Sequence, residues 1–560
     1  MAFSLSPSVT IQEFDTTLGV AQIATTIAGM AGNFSWGPCF ERKQVTTEKE
    51  LCSYFGLPLD TNFQHWHSAA EFLRYASSLY LVRAVDHDTA KNAGIAVADE
   101  GQATAVLTIG SNPYIPNYSG IPTITFAAHE KLHIVAKYPG ALGNTKIKVA
   151  LATADDFATA NIIAGSLTFV NNFEYAPVSN TYDKYDQLAI AVMAKNDLDD
   201  NWTLVEKWLV DMDPDAKDSY GKSTYIENVI NQKSQWIYAF DNTTIALSPM
   251  SFEATYLAGG VDGTPAVADI ELGYDLFANP EEFDISLLFD GANNDEVSQG
   301  YIVDICDTRL DAMAILDIPA SAVMAGDLST SITACVTYKN TTLNKNSSYA
   351  AIYAQWKYIY DKYTDKYRWI PMSGDMAGVL ARSETLTDAW YPPAGLVRGQ
   401  IKNVIKFAIY PTKAYRDTLY KNNINPIVAF PGEGNVAWGQ KTMLSAPSAF
   451  DRINVRRLFI VLEKAISSAA KWMIFEFNDD YQRTLFKLMV EPFLRRIKGR
   501  RGIFDYKVIC DTTNNTGAII DANEFVGDIY IKPARAAEFI KLNFIAVGTD
   551  VNFSEVLINA

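Results

Sequence analysis

The chain has 560 residues, of which 48% are hydrophobic and 20% are charged, and this balance is ordinary for a protein with large apolar cores. The length exceeds what one core usually supports, so we expect roughly three or four domains. Acidic residues outnumber basic ones by 64 to 47, and the net charge of -17 argues against a protein that coats nucleic acid, because such binding depends on basic residues that neutralise phosphates.

The N-terminal region predicts an arm followed by a small α/β segment. Residues 8–14 alternate like a strand and lie in an arm, residues 1–18. In the segment that follows, residues 19–95, a short helix is expected over 46–56, because a Ser/Thr capping signal marks its start and Gly56 marks its end. A second helix is expected over 67–78 and a buried strand over 79–85.

The middle of the chain predicts two further domains. Short alternating runs separated by Gly, Pro and Asn indicate a β-sandwich-like insert over residues 96–263. The expected strands are 104–109, 123–126, 132–136, 146–151 and 166–170. After a glycine-rich boundary at 257–263, strands at 285–289 and 312–318 alternate with helical patterns, which predicts an α/β domain with a parallel sheet over 264–435.

The last segment, residues 436–548, predicts a helix and then strands. Apolar residues recur at helical spacing in one run: Phe459, Leu462, Ile466, Ala469 and Met473. Strands are expected at 528–532 and 538–547, and the C-terminal arm, residues 549–560, is again strand-like. Because an isolated strand leaves its N–H and C=O groups unpaired, both arms need partners, either inside the molecule or on neighbouring molecules.

Targeting and redox signals are few. The five cysteines are scattered without a CxxC pair, so neither a zinc ribbon nor a disulfide framework is indicated. No apolar run approaches the roughly 18 residues of a membrane helix, and the first residues lack the pattern of a signal peptide. We expect no membrane insertion and a reducing, cytosol-like compartment.

Two strings resemble chemical motifs. His129, Glu130 and His133 match HExxH, but the run alternates like a strand, where the two histidines lie roughly 13 Å apart, too far to share a zinc ion. Strand histidines are therefore favoured over a zinc hydrolase, which is kept as an alternative. Residues 434–442 resemble a phosphate loop, but Gln440 precedes Lys441 and no helix start follows, so a structural turn is favoured.

The remaining histidines and one basic string complete the candidates. His65, His67 and His87 form no ligand set with their neighbours and are expected on the solvated surface. No histidine follows His133, so residues 264–435 hold no Ser-His-Asp triad. A local basic patch stands out in this acidic chain and would attract an acidic protein surface or a phosphate backbone, although a solvated face is the alternative. Its members are Arg483, Lys487, Arg495, Arg496, Lys498, Arg500 and Arg501.

Several strings, in order, resemble the tail sheath proteins of contractile phages. They lie at residues 6–13, 34–38, 79–83, 138–144, 257–263, 393–395, 422–426, 453–457 and 533–539. Two positions depart from the family pattern: Leu142 stands where a tryptophan is common, and residues 381–388 replace the usual Arg-Thr-Asp phrase.

The resemblance implies a multidomain fold of the α+β and α/β classes. It implies a C-terminal sheath domain that faces an inner tube, a subtilisin-like α/β middle domain without a catalytic triad, and the β-sandwich-like insert on the outside. It also implies that the arms are swapped between subunits as added strands. The arm residues expected to make these contacts are Val9, Ile11, Phe14, Val551, Phe553, Val556 and Ile558.

The implied function is that of a structural subunit. Stacked hexameric rings would surround the inner tail tube, store energy in an extended state and contract to drive the tube through the host envelope during genome delivery. The implied partners are other copies of the chain, the inner tube protein, and baseplate and tail terminator proteins, without direct nucleic-acid contact. No catalytic residue, metal or cofactor is expected, and the location is the virion after assembly in the host cytoplasm. A sheath of a pyocin-like or type VI-like injection system is the alternative.

Overall fold

The computed structural model describes residues 25–98, 106–154, 156–158, 162–178, 187–195, 201–245 and 251–542. The chain divides into two compact units, Met1–Ile474 and Phe475–Ala560. All seven predicted arm residues, from Val9 to Phe14 and from Val551 to Ile558, lie outside the described residues.

The first unit is described in three stretches. Residues 25–98 form β1 (Ala28–Gly32), β2 (Lys43–Val45), α1 (Glu48–Phe55), α2 (Phe63–Leu73), β3 (Leu79–Arg83) and β4 (Asn92–Ala98). Residues 106–256 include β5 (Val106–Leu107), β6 (Glu130–Pro139), α3 (Leu142–Lys146), β7 (Ile147–Thr153), β8 (Ile162–Ala164), β9 (Leu167–Thr168), α4 (Phe169–Asn172), β10 (Gln187–Lys195), β11 (Trp202–Asp211), α5 (Ile226–Lys233), β12 (Ile237–Asp241) and β13 (Ser251–Tyr256).

The third stretch of the first unit, residues 257–474, contains α6 (Val267–Asp275), β14 (Leu287–Phe289), α7 (Glu296–Arg309), β15 (Met313–Asp317), α8 (Ala320–Val323), α9 (Leu328–Thr337), β16 (Ala350–Tyr353), β17 (Trp356–Asp361), β18 (Lys366–Pro371), α10 (Ser373–Leu386), α11 (Gly395–Arg398), β19 (Lys406–Phe407), α12 (Lys413–Lys421), β20 (Ile427–Phe430), β21 (Gly434–Ala437) and α13 (Ile453–Ala470). The second unit contains α14 (Asp480–Gly499), β22 (Ile503–Ile509), α15 (Gly517–Asp521) and β23 (Asp528–Pro533).

Local signals explain the first helix. The Thr47 side chain accepts a hydrogen bond from the Glu50 N–H, and Gly56 ends α1 with a positive φ of 74°, which glycine adopts without strain. The helix predicted over 46–56 is thus confirmed, as is the buried strand predicted over 79–85, which is β3. The helix predicted over 67–78 starts earlier, because α2 spans Phe63–Leu73.

A six-stranded sheet organises the first unit, in the order β16-β15-β14-β1-β3-β2. All neighbouring strands run parallel except β2 and β3. The parallel sheet predicted for residues 264–435 is present, but β1 and β3 from the N-terminal segment pair directly with its strand β14 and complete it. The structure therefore joins two stretches that the sequence pattern placed in separate domains.

Both faces of this sheet are covered by helices, the arrangement that makes a parallel sheet stable. One face packs against α2, α10 and α13, with Trp66, Phe72 and Ile460 in the shared core. The other packs against α6, α7 and α9. Helices α2 and α10 approach so closely that a Cβ at Gly374 would lie 2.1 Å from the Ser68 carbonyl oxygen, so glycine is required there.

The insert is built from two antiparallel four-stranded sheets, in the orders β11-β10-β7-β13 and β12-β6-β4-β5. Ile95 and Ile134 from one sheet and Val149 and Ile190 from the other belong to one buried apolar cluster, so the two sheets form a sandwich-like pair. Two local predictions fail, because residues 123–126 form no strand and the strand predicted over 166–170 is divided between β9 and α4.

Helix α13 is the predicted helix, with a shifted face. Its core residues include Leu458, Val461 and Ala465 as well as Leu462 of the predicted stripe, whereas Phe459 and Ile466 of that stripe are only half-buried. The packing surface surrounds more of the N-terminal turns than an amphipathic stripe would, because Asn454, Arg456 and Arg457 are buried as well. Among the described residues, no helix is both long and apolar enough to cross a membrane.

The second unit is small. Helix α14 begins at a cap made by the Asp479 carboxylate and buries Phe486, Val490 and Phe493. Strands β22 and β23 pair antiparallel, which confirms the strand predicted over 528–532. The strand predicted over 538–547 is wrong for residues 538–542, which have no strand geometry, and its remainder lies outside the described residues.

Candidate assembly surfaces

One buried arginine joins the insert to the central sheet. Arg83, at the end of β3, donates to the Phe34 carbonyl at 2.7 Å, to the Gly37 carbonyl at 3.0 Å and to the Pro139 carbonyl at 2.9 Å. A guanidinium suits this task because its rigid fork reaches several acceptors at once, while no anion is needed to hold it. Three of the distant sequence strings thus meet at a single side chain.

A fourth string closes the same junction. The Asp262 carboxylate accepts a hydrogen bond from the Ala141 N–H at 2.9 Å. Asn144 and Gly260 bond to each other twice, through the amide donor at 2.8 Å and the amide oxygen at 2.7 Å. These polar strings therefore hold the insert against the central sheet through hydrogen bonds.

The string at 453–457 likewise anchors its helix to the sheet layer. Arg457 of α13 donates to Glu384 Oε2 at 2.8 Å and to the Leu380 carbonyl at 2.8 Å. Arg456 lies over the Tyr349 ring, 4.1 Å from its centroid, and donates to the Tyr349 hydroxyl. Both guanidinium groups are buried, and their partners fix α13 against the core.

The clearest candidate for assembly is the small sheet of the second unit. Strands β22 and β23 pair only with each other among the described residues, so each keeps an outer edge of backbone N–H and C=O groups. A two-stranded sheet is marginal by itself, and further strands or a helix packed against it add to its stability. Its edges are suited to pairing with a strand from another chain.

Apolar side chains accompany these open edges. Phe504 of β22 and Tyr530 of β23 are exposed, and the chain after β23 presents Phe539, Ile540 and Leu542 to solvent. Phe475, Phe477 and Tyr481 expose further aromatic surface before and at the start of α14. Such a concentration is unusual for a monomer surface and marks this unit for protein contacts.

The predicted basic patch divides in the structure. Arg495, Arg496, Lys498, Arg500 and Arg501 are exposed in the last turns of α14 and directly after it. Arg483 differs because it is buried, donating to Asn478 at 3.2 Å and to Asp480 at 2.8 Å. Lys487 is half-buried and lies 3.6 Å from an Asp511 carboxylate oxygen.

Position on the helix gives the exposed basic residues one local role. Cations near a helix C-terminus interact favourably with the helix dipole. Lys498 also forms an ion pair with Asp505 over 2.8 Å. The exposed basic side chains together form a positively charged surface that can attract an acidic partner.

The HExxH string is not a zinc site. Glu130 and His133 lie on β6, where His133 Nε2 is 2.8 Å from Glu130 Oε2, and His129 precedes the strand with a positive φ of 70°. Burial lowers the pKa of His133, which is paired with Glu130 inside the insert. Residues 130–133 are strand and not helix, so the two histidines lack the helical spacing by which HExxH binds zinc.

The other motif-like residues have structural or surface positions. Residues 434–437 are strand β21, and Lys441 donates to the Tyr420 carbonyl at 2.7 Å, so the string is not a phosphate loop. Among the described residues, only Asp86, His87 and Asp88 form a group of His, Cys, Asp or Glu side chains whose possible metal-ligand atoms all lie within 4.8 Å of one another. Two of these three residues are exposed. His65 is half-buried beside Asn293 and His67 is buried, contrary to the predicted surface positions, because α2 packs into the core.

Comparison with known proteins decides the family. Residues 279–443 match the model of the phage tail sheath protein central domain, and residues 445–546 match the phage tail sheath C-terminal domain. The tail sheath protein of Enterobacteria phage T4 is 32% identical over 99% of this chain and 99% of its own length. The chain belongs to the phage tail sheath protein family.

Other sheath proteins agree with this assignment. The tail sheath protein of Vibrio phage KVP40 is 31% identical, again over 99% of both chains. The sheath tail protein of Listeria innocua has a similar fold, with a TM-score of 0.55 and 11% identity over 92% of this chain and 96% of that one. The mixed α/β multidomain architecture is thus shared between sheath proteins of low sequence identity.

Sequence reasoning missed some buried polar groups of this sheath protein. Lys357 lies in an alternating strand and Asp375 in the first turn of a helix, yet both side chains are fully buried and touch each other. Asp290 and Asp317 follow or end two neighbouring parallel strands and are also fully buried. The only local signal for a buried charge of this kind is an alternating pattern with a single charged member, and many exposed strands show the same pattern.

Proposed function

We propose that this chain is the subunit of a contractile phage tail sheath. The subunits polymerise as stacked hexameric rings around the inner tail tube, and contraction drives the tube through the host envelope during genome delivery. Support comes from the full-length similarity to phage tail sheath proteins, at 31–32% identity. These relatives are phage proteins, which favours a phage tail over another kind of injection device.

One observation carries the assembly mechanism. The β22–β23 sheet keeps two open edges among the described residues and is accompanied by exposed apolar side chains. The N-terminal and C-terminal arms of neighbouring subunits supply the missing strands, with Val9, Ile11 and Phe14 on one arm and Val551, Phe553, Val556 and Ile558 on the other. This swap is β-augmentation, in which backbone hydrogen bonds give affinity and alternate side chains give specificity.

Energetics make the lattice strong although each contact is moderate. A backbone hydrogen bond contributes on the order of 1 kcal/mol net, so each arm adds a few kcal/mol. Every subunit both gives and receives arms, and the effective concentration inside a closed ring multiplies these contacts. The arms also tether subunits, so that the bodies can shift while the chain-to-chain pairing persists.

Contraction requires two packings of one subunit. An extended packing, held against the tube by the exposed basic residues of α14, changes to a wider and shorter packing of lower free energy. The energy is stored during assembly in the host cytoplasm, so no nucleotide or other cofactor is used. Baseplate and tail terminator proteins lie at the two ends of the sheath, and the finished sheath is part of the virion.

The middle domain serves this function as a scaffold and not as an enzyme. Its parallel sheet, with helices on both faces, supports the proposed subtilisin-like architecture. Ser373 begins α10, but its hydroxyl accepts from the Gly291 N–H, and its side chain is fully buried. A nucleophile in that position has no access to substrate, which supports a middle domain without a catalytic triad.

Paired arm variants test the proposal. Successive residues of a strand face opposite sides. Val9→Asp with Ile11→Asp therefore places two charges on the apolar face of the N-terminal arm, whereas Thr10→Ala with Gln12→Ala changes the opposite face. We expect the first pair to leave a soluble subunit whose circular dichroism spectrum shows that it is folded. This variant should form no tubes in negative-stain micrographs. The control pair keeps tube formation. Normal tubes from the aspartate variant would refute the arm mechanism.

A further inference from the structure

Three charged side chains meet in a dry interior site of the first unit. Lys357 projects from β17, Asp375 from the first turn of α10 and Glu71 from α2, and each side chain is at most 1% exposed. Lys357 Nζ lies 2.9 Å from Glu71 Oε2 and 2.9 and 2.8 Å from the two Asp375 oxygens. One amine therefore contacts two carboxyl groups away from solvent.

The distances place the amine near a carboxyl carbon. Because Nζ is almost equidistant from both Asp375 oxygens, it also lies about 3 Å from Cγ between them, which is the range of a near-attack contact. The Lys402 carbonyl accepts from Nζ at 3.2 Å and the Tyr75 hydroxyl donates to Asp375 Oδ1 at 2.9 Å. Both reacting groups are thus held in place by further hydrogen bonds.

We propose that Lys357 and Asp375 become joined by an intramolecular isopeptide bond, with Glu71 as the proton relay. The product is an amide between Nζ and Cγ that fastens β17 to α10. This modification does not depend on the proposed function, because its geometry lies inside one folded subunit.

The reaction balances without an added reagent. A proton first passes from the Lys357 ammonium to the Asp375 carboxylate, which gives a neutral amine and a carboxylic acid. Nζ then attacks Cγ, so that the C–N bond forms and the carbonyl electron pair moves to oxygen. Glu71 Oε2 takes a proton from the nitrogen and returns it to the hydroxyl group, the C–O bond breaks, and one water molecule leaves.

Burial favours each stage. Desolvation raises the pKa of Asp375, and the neighbouring Glu71 charge acts in the same direction against the opposing effect of Lys357, so the protonated acid is accessible. Two buried charges are costly, and an amide removes both. Glu71 keeps its other partners afterwards, because Arg74 lies 3.1 Å away and Asn403 donates to it at 2.6 Å.

A second buried pair provides an internal comparison. Lys131 Nζ lies 2.6 Å from Asp241 Oδ1, and both side chains are almost completely buried. In the described part of the chain, no second carboxylate contacts this amine, so it lacks the relay that Glu71 supplies at Lys357. We expect Lys131 to keep a free amine.

Mass spectrometry of the purified full-length subunit, and of tubes assembled from it, tests the proposal. The linked protein is lighter than its sequence by one water molecule, and trypsin no longer cuts after Lys357. Digestion then yields residues 346–362 joined to residues 369–382, whereas cleavage after Lys131 is normal. Full mass with ordinary cleavage after Lys357, in both samples after prolonged incubation, overturns the proposal.

Three variants separate a chemical from a structural role. Lys357→Arg keeps the positive charge but should show the full mass, and Glu71→Gln should leave the pair largely unlinked in a chain that is folded by circular dichroism. Asp375→Asn should form the same linked peptides with loss of ammonia instead of water. A linked Glu71→Gln protein that matures as fast as the wild type would remove Glu71 from the reaction.

Discussion

Arg457 and Glu384 form a buried ion pair between α13 and α10, with Nη2 and Oε2 2.8 Å apart. Thr25 joins them, since its backbone N–H donates to Glu384 at 2.6 Å and its carbonyl accepts from Arg457 at 3.2 Å. One pair therefore connects the start of the described chain to two helices that are distant in sequence. It also places the family string at 453–457 in the core.

Removing the acid should destabilise the first unit. Glu384→Ala leaves the buried guanidinium without its counter-charge, which typically costs about 3 kcal/mol or more. We expect a clearly lower thermal unfolding midpoint of the full chain by circular dichroism. Asp304→Ala is the control, because the Asp304 carboxylate and the Lys345 amine, which pair over 2.7 Å, are both partly solvated, and it should change the midpoint little.

The junction at Arg83 gives a second stability prediction. A lysine there cannot satisfy three diverging carbonyls, so Arg83→Lys leaves buried acceptors unpaired, at about 1–3 kcal/mol for each. Faster amide exchange is expected around residues 34–37 and 139–144. Arg416→Lys, at a partly buried arginine that donates to the Pro411 carbonyl, serves as the control. Equal exchange in both variants would mean that the insert is held by its apolar contacts alone.

Local signals predicted the elements whose causes are local. The Thr47 cap, the short apolar run of β3 and the recurrence in α13 each act within a few residues, so pattern reasoning could find them. The same holds for the rejection of HExxH, because a strand pattern fixes the spacing of the two histidines.

The pairing of strands that are distant in the sequence could not be predicted from local signals. Strand β1 pairs with β14, where Gly29 meets Leu288, and nothing in either short run identifies the other as its neighbour. The buried contacts of Lys357 and Arg83 depend in the same way on segments far apart in sequence. The family strings marked some of these positions, but only the structure shows that four of them meet at one junction.

Two buried acids predict the pH dependence of stability. Burial raises the pKa of Asp290 to about 7, and burial together with the Asp290 charge raises the pKa of Asp317 to about 8. In the unfolded chain both groups titrate near their ordinary value of about 4. The folded chain thus binds protons more tightly, and the contribution of these acids to the free energy of unfolding falls as pH rises from about 4 to about 8.

A neutral isostere should flatten that dependence. Asp290→Asn keeps the acceptor for the Gln299 amide, which donates at 2.7 Å, and removes the charge that also acts on Asp317. We expect a smaller loss of stability between pH 5 and pH 8 than in the wild type, measured as unfolding midpoints across that range. Asp505→Asn, at an exposed acid paired with Lys498, should leave the slope unchanged. Parallel pH profiles for wild type and Asp290→Asn would contradict the assignment.

The exposed basic residues of α14 give a prediction about the tube. Arg495 and Arg496 are exposed in the last turns of the helix, and reversing both charges by Arg495→Glu with Arg496→Glu replaces attraction by repulsion toward an acidic surface. Because Arg495 and Arg496 lie on α14 and the proposed arms pair with β22 and β23, sheath tubes should still form. We expect these tubes to lack the inner tube protein when the two proteins are produced together, as judged by electron microscopy and gel analysis of purified particles.

A charge-matched control makes this result specific. Lys217→Glu with Lys222→Glu changes net charge equally, but both lysines are exposed on the insert, which we propose faces outward. That variant should retain the inner tube. Loss of the tube from both variants would point to overall charge, and retention in both would show that the patch on α14 is a solvated face whose cations only offset the helix dipole.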